Sequence, residues 1–102
     1  MAKFTTKIVF SNSHERPHTI WVEPVGEDFT LLPGESLEII SRDNKIPSYF
    51  SVVETEGNTQ AYIENKAGGF DVLLDFDVLQ GGHKLKCGHN RKAALDAGLW
   101  SE

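Results

Sequence analysis

Alternation of polar and apolar residues is the feature that most restricts the fold of this chain. In KFTTKIVFS, at residues 3–11, Phe4, Ile8 and Phe10 fall on one side of an extended segment, and polar residues fall on the other. Similar segments follow at intervals of about 8–12 residues, separated by turn-forming residues. This spacing predicts an all-β fold, an antiparallel β-sandwich of about seven strands.

The end of the chain departs from this pattern. NRKAALDAGLW, at residues 90–100, predicts one short C-terminal helix near residues 91–97, because Asn90 can cap a helix and Gly98 can end one. The 102 residues suffice for a single sandwich domain, 1–102. We expect the apolar sides of the strands to form its core: Phe4, Ile8, Phe10, Ile20, Val22, Leu37, Ile39, Val52, Ile63, Val72, Leu74 and Phe76.

Charge is distributed unevenly along the chain. The net charge is −5, but residues 21–80 contain three bases and twelve acids, a net −9, whereas the segments before and after it each carry +2. An acidic body repels nucleic acid, whose phosphates need cations, and attracts basic proteins. We therefore expect a protein partner, with a basic one favoured by the acidic body, and no nucleic acid. The alternative is that the acids are solvated strand faces neutralised by the chain's own basic tail.

Composition restricts the compartment. No apolar run approaches the roughly 20 residues of a membrane span, and the N-terminus lacks the continuous apolar region of a signal peptide. A single cysteine cannot form an internal disulfide. We expect a cytoplasmic protein with no membrane partner and no cofactor.

FSNSHERPHTIWVEPVGEDFTLLPGESLEII, at residues 10–40, has a further pattern. A strand ends at Asn12, Arg16 and Pro17 precede an apolar strand with Trp21, and an acidic glycine turn is followed by Leu-Pro-Gly. This pattern resembles short uncharacterised bacterial β-sandwich proteins. In outline it is also similar to the β domain of the von Hippel–Lindau tumour suppressor, which recognises hydroxyproline peptides. The resemblance implies a β-sandwich and carries over no peptide-binding residue.

The segment HKLKCGHN, at residues 83–90, raises the sharpest chemical question. Its His83, Cys87 and His89 could hold zinc or copper, with His14 and His18 as further ligands if the segments meet. The cysteine could instead be a nucleophile with its pKa lowered by neighbouring cations, although a small sandwich offers little pocket for one.

A structural reading of the same segment is a basic tail lying on the acidic body. It predicts Lys84, Lys86, Arg91 or Lys92 near carboxylates such as Asp71, Asp75 and Asp77, which alternate on the outward side of one strand. Because exposed ion pairs are weak, the anchors should be Leu85, Leu95, Leu99 and Trp100. In this reading Cys87 is partly buried and free of metal.

Other candidate binding residues lie on outward strand faces. Asp71, Asp75 and Asp77 could form an acid–base or calcium site, or simply a solvated face. Trp21 and Tyr62, which also face outward, could form a binding surface or be covered by the terminal helix.

These observations favour a non-enzymatic protein-interaction module, of the kind represented by acidic inhibitors and immunity proteins. The alternatives are a metal-binding protein using His83, Cys87 and His89, and a sugar-binding module using Trp21 and Tyr62.

Overall fold

The computed structural model describes residues 4–43, 47–65 and 75–99. They form eight strands and one helix: β1 Phe4–Ser11, β2 His18–Glu23, β3 Glu27–Leu31, β4 Ser36–Asp43, β5 Ser48–Thr55, β6 Asn58–Asn65, β7 Asp75–Gln80, β8 His83–Lys84 and α1 Arg91–Asp96. The strands make two four-stranded sheets, a first sheet in the order β1-β4-β7-β8 and a second in the order β3-β2-β6-β5. The predicted all-β sandwich with a short C-terminal helix is therefore confirmed.

One strand pair differs from the expected antiparallel pattern. β2 and β6 run parallel, with Ile20 opposite Thr59, whereas every other pair of neighbouring strands in the two sheets is antiparallel. Parallel neighbours need a long crossover between them. Here the connection from β2 to β6 contains β3, β4 and β5, and it crosses to the first sheet at β4.

The core lies between the two sheets and draws most of its fully buried side chains from the second. Its buried members are Ile20, Val22, Phe29, Leu31, Leu37, Ile39, Ala61, Ile63 and Val78. Partly buried Ile8, Phe10, Phe50, Phe76 and Leu85 pack around them. The expected core thus holds for most of its members, but Phe29, the largest fully buried side chain among the described residues, was not among them.

Two expected core residues are placed differently. Phe4 is half-buried and lies outside the core cluster. Val52 is 42% exposed, although it is opposite the buried Ala61 and therefore on the core side of its sheet. Because β5 is an edge strand, facing the core is not enough to bury this valine. Val72 and Leu74 lie outside the described residues.

The terminal helix begins as predicted but not for the predicted reason. Asn90 adopts a left-handed conformation with φ 57°, and its side chain makes no capping hydrogen bond. Its Nδ2 donates instead to the Thr30 carbonyl at 3.1 Å, which ties the helix start to β3. Gly98, with φ 71°, follows the helix as predicted. The buried residue of the helix is Ala94, while Leu95 and Leu99 are half-buried; Trp100 lies outside the described residues.

Candidate functional site

Residues 83–99, which we call the strap, cross from one sheet to the other. The strap begins as β8, where Lys84 pairs with Leu79 of β7 and its Nζ lies 3.0 Å from Asp77 Oδ1. The Leu85 amide then donates to the Val78 carbonyl at 2.8 Å, and its side chain packs against the core. The expected contact between a tail lysine and this aspartate is therefore present, and Leu85 is one of the expected apolar anchors.

The strap next extends the second sheet along the free edge of β3. The Gly88 amide donates to the Asp28 carbonyl at 2.7 Å, and the Thr30 amide donates to the His89 carbonyl at 2.8 Å. These backbone bonds satisfy edge groups of β3 that would otherwise face solvent. The segment HKLKCGHN thus has a structural role, because it covers the β3 edge of the second sheet.

An ion pair between a buried aspartate and a partly exposed arginine fixes the strap at this point. Asp28 is 2% exposed, and Arg91 holds both its carboxylate oxygens, with Nη2 2.6 Å from Oδ1 and Nε 3.1 Å from Oδ2. The hydrogen bond and the charge of Asp28 raise the pKa of Arg91. A Cβ at Gly88 would lie 3.0 Å from the Arg91 guanidinium, and φ there is +87°, so glycine lets the arginine approach. Arg91 is therefore, like Lys84, one of the named basic residues of the tail that contacts a carboxylate, and its partner is a buried aspartate of the second sheet and not an aspartate of β7.

The expected metal ligands are not brought together as a set. His83 is exposed on β8, and Cys87 is exposed rather than partly buried, which corrects that prediction. The Cys87 thiol donates to Asp28 Oδ1 at 3.6 Å, while His89 Nε2 lies 3.3 Å from Asn90 Nδ2. Within residues 4–43, 47–65 and 75–99, no three His, Cys, Asp or Glu side chains form a group that could hold a metal ion.

The carboxylates of β7 are engaged by cations. Arg42 bridges Asp75 and Asp77 at 3.4 and 2.8 Å, and Lys84 contacts Asp77 from the other side. The hydrogen bond from Lys84, together with those from Arg42, lowers the pKa of Asp77 despite the opposing effect of burial. This face of the first sheet is thus neutralised by its own neighbours. Asp71 lies outside the described residues.

Trp21 and Tyr62 both lie on the outer face of the second sheet. Trp21 is opposite Asp28 on one side and Gln60 on the other, and cross-strand partners share a face. Its Nε1 donates to Asn58 Oδ1 at 3.1 Å, and Tyr62 donates to Gln60 Oε1 at 3.3 Å. Both aromatic side chains are half-buried, so each offers part of its surface while the rest is held in place.

Beside these aromatic residues the outer face is not covered by the strap. We call this surface the open face and define it by its members: Trp21, Glu23, Tyr49, Ser51, Val53, Gln60, Tyr62 and Glu64. Tyr49 is 46% exposed and Val53 is 50% exposed. Sequence reasoning missed both residues, because SYFSVVE places apolar side chains on both sides of its strand and gives no clear alternation.

A polar groove of about 750 Å³ opens next to the open face, at the turn between β5 and β6. Its charged and titratable lining residues are His14, Glu15, Arg16, His18, Glu54 and Glu56. His18 lies 2.6 Å from the Thr59 hydroxyl. Burial lowers the pKa of His18, an effect that the nearby Glu54 opposes and His14 reinforces. His18 therefore resists protonation, and the net charge of the lining is negative near neutral pH.

The two sheets differ most in how their charges are used. The strands of the second sheet contain Glu23, Glu27, Asp28, Glu54 and Glu64 and no Lys or Arg. Within the described part of the chain, Asp28 is the one member of this set that has an ion pair. Glu27 and Glu54 lie on the core side of their strands, opposite Val22 and Thr59. The open face therefore carries two carboxylates, Glu23 and Glu64, that have no ion pair among the described residues and lie beside Tyr62 and Tyr49.

No family model, no curated protein and no solved structure matches this chain. In the ranges that the structure describes, no helix has both the length and the apolar character needed to cross a bilayer.

Proposed function

We propose that this chain is a non-enzymatic protein-interaction module of the cytoplasm, and that its open face binds a basic segment of another protein. The observation that carries the proposal is the charge of the open face, which holds the carboxylates of Glu23 and Glu64 and no Lys or Arg. Uncompensated charge of one sign steers an oppositely charged partner to the surface and favours it over neutral ones. Small acidic inhibitors and immunity proteins work in this way.

The side chains of the open face fit the chemistry of lysine and arginine. Tyr62 is opposite Glu23 on β2, and Tyr49 is opposite Glu64 on β6, so each tyrosine lies beside a carboxylate. A cation placed over an aromatic ring gains about 0.5–1 kcal/mol at an exposed site, and the adjacent carboxylate adds a charged acceptor. Two such pairs on neighbouring strands favour a partner with at least two basic side chains.

The adjacent groove adds further negative charge next to the open face. Glu54 and Glu56 line it at the end of β5, and the Asn58 side chain connects Trp21 to the backbone of Leu99 on its rim. A basic segment lying across the open face could therefore continue into a second negatively charged recess. Such continuity makes a longer contact than the face alone provides, and standard interfaces need about 800 Å² from each partner.

The proposal is tested by comparing two charge-reversed variants as affinity baits in extract of the native cell. One variant carries Glu23→Lys and Glu64→Lys on the open face. The control carries Glu38→Lys on the first sheet and Asp96→Lys on the helix, which changes the net charge by the same amount. We expect the wild type and the control to capture a basic protein. The amount captured should fall at least about tenfold with the open-face variant and at raised salt.

Equal capture by the two variants would contradict the proposal, because binding would then follow net charge and not the open face. A captured protein should next be reduced to its basic segment as a synthetic peptide. That peptide should bind the purified wild type directly, and replacing its lysines and arginines by glutamine should abolish binding.

A further inference from the structure

The free edge of β5 offers a second kind of interface. β5 has β6 as its neighbour in the second sheet. On its other side, among the described residues, the Thr6 hydroxyl donates to the Ser48 carbonyl at 3.0 Å. That contact occupies the start of the strand. From Tyr49 onward the described residues supply no further strand to pair with this edge.

Exposed apolar side chains are concentrated along this edge. Tyr49, Val52 and Val53 are 46%, 42% and 50% exposed, and they are three of the six large hydrophobic residues that are exposed in the described chain. Val52 lies on the core side of the sheet and Val53 on the outer side, since their partners on β6 are Ala61 and Gln60. A ligand resting on one face would cover only one of these valines, whereas a strand added alongside would cover both.

Among the described residues, the edge also lacks the usual devices that prevent strand addition. Natural edge strands are protected by lysine, proline, bulges or a covering segment. β5 contains neither lysine nor proline, and its pairing with β6 runs without a bulge from Ser48 to Thr55. The opposite edge of the same sheet, β3, is covered by the strap through Gly88 and His89.

The sequence of β5 is complementary to itself in one antiparallel register. With Ser51 on the two-fold axis, Tyr49 pairs with Val53 of the second copy on the outer face, and Phe50 pairs with Val52 on the core face. Aromatic residues opposite β-branched residues are favourable cross-strand pairs. We propose that two copies of this chain associate through residues 49–53 in this register, so that their second sheets join into one continuous sheet of eight strands.

Charge does not oppose this arrangement at the contact. In the Ser51-centred register the two Glu54 residues lie about 20 Å apart along the strands, which is roughly two Debye lengths at physiological ionic strength. Each Glu54 is instead opposite Ser48 of the other copy. A basic foreign segment would gain little along this stretch of edge, because residues 49–53 themselves carry no charge. The edge therefore favours an uncharged strand like its own.

The interface is small, which sets the concentration at which it forms. Five residues from each copy bury less than the roughly 1,200 Å² of a standard stable complex. We therefore expect a reversible dimer that becomes populated at about 0.1–1 mM protein. Because its contacts are apolar and the two copies are both acidic, added salt should strengthen the dimer, whereas salt should weaken binding of a basic partner to the open face.

Cross-linking by cysteine tests the register directly. Cys87→Ser removes the native thiol, and Ser51→Cys then places one thiol on the proposed axis, where paired Cα atoms lie within disulfide distance. The matched control, Val53→Cys in the same background, lies on the same face but about 13 Å from its own counterpart. With oxidised glutathione as the oxidant, the Ser51→Cys protein should form covalent dimer at least about tenfold faster than the control.

Two further measurements complete the test. An equimolar mixture of the Tyr49→Cys and Val53→Cys proteins, both with Cys87→Ser, should form the mixed disulfide. That disulfide should form faster than the disulfide between two copies of either variant. In sedimentation equilibrium, Val53→Lys should remain monomeric at concentrations where the wild type self-associates. Equal cross-linking at positions 51 and 53, or a wild type that stays monomeric at 1 mM, would overturn the proposal. Neither result would bear on the basic partner of the open face, whose test uses different variants.

Discussion

The outer faces of the two sheets use charged residues in opposite ways. In the first sheet each cation has a carboxylate partner: Lys7 pairs with Glu38, Arg42 with Asp75 and Asp77, and Lys84 with Asp77. In the second sheet the outward charged residues of the strands are Glu23, Asp28 and Glu64, and the strap supplies a cation to one of them, Asp28. A face that neutralises itself contributes to stability and has little charge left for a partner. A face that does not is available for binding.

The edges of the second sheet show the same contrast. At β3 the strap forms backbone hydrogen bonds and brings Arg91 onto Asp28. At β5 the exposed side chains of Tyr49 and Val53 project beside an edge that the described residues leave open. Within the part of the chain that the structure describes, the same sheet is thus closed on one side by the strap and open on the other. The two sides can be altered independently, which makes the comparison testable.

The largest expected effect concerns the core under the second sheet. Phe29 is 1% exposed, whereas Phe76 of the first sheet is half-buried. We expect Phe29→Ala to lower the free energy of unfolding by about 3–5 kcal/mol and Phe76→Ala by about 1–3 kcal/mol. The second cost is smaller because Phe76 buries less apolar surface on folding than Phe29 does. Urea unfolding of both variants checks this. Equal losses would show that the first sheet contributes as much to the core as the second.

Most of the fold could be predicted from local patterns. Alternation identified β1, β2, β4 and β6, and the turn residues between them fixed the count of strands to within one. The parallel pairing of β2 with β6 could not be foreseen, because strand order depends on which sheet each segment joins. The exposure of Val52 was also missed, since alternation shows which way a side chain faces and not whether its strand lies at an edge.

The candidate site was less predictable, because its contacts join residues far apart in sequence. Asp28 and Arg91 are separated by 63 positions, and nothing local to either residue indicates the other. Charge segregation correctly predicted that the tail would contact the acidic body, and Lys84 with Asp77 confirms one pair. It could not distinguish Asp28 from the other acids, since burial of a carboxylate depends on the strap that covers it. Whether Trp21 and Tyr62 bind a partner stays a prediction.

The second expected effect is on the closed edge. Arg91→Met keeps the aliphatic stem but removes the charge, and it leaves the buried Asp28 carboxylate without its cation. We expect a lower Tm and release of the strap from β3. The readout is hydrogen exchange at the Thr30 amide, which donates to His89 and should exchange at least about tenfold faster when the strap opens.

Two controls define what the Arg91 result means. Lys92→Met removes an exposed pair with Asp96 one helical turn away, so its cost should be only about 0.3–0.5 kcal/mol and Thr30 exchange should not change. Adding Asp28→Asn to Arg91→Met removes the orphaned charge and should restore part of the lost Tm. Unchanged exchange at Thr30 in Arg91→Met would show that the backbone bonds of the strap hold it without the ion pair.

The smallest expected change in stability comes from neutralising one outward carboxylate of each sheet. At pH 7, Asp77→Asn should cost about 0.5–1 kcal/mol, because it removes contacts with Arg42 and Lys84. Glu64→Gln should change stability by less than about 0.5 kcal/mol, since Glu64 has no cation among the described residues and glutamine can still accept the bond from Ser51.

The pH dependence of this difference has a definite sign. The pKa of Asp77 is lowered from its ordinary value of 3.8 by Lys84 and Arg42, so near that pH the unfolded chain binds more protons than the folded one. The contribution of Asp77 is therefore complete above 3.8 and is lost as the pH falls through the lower, folded-state value. Urea unfolding at a series of pH values should show the cost of Asp77→Asn shrinking on acidification. A cost of Asp77→Asn that does not change with pH would mean that the first sheet gains its stability from packing and not from pairing its charges.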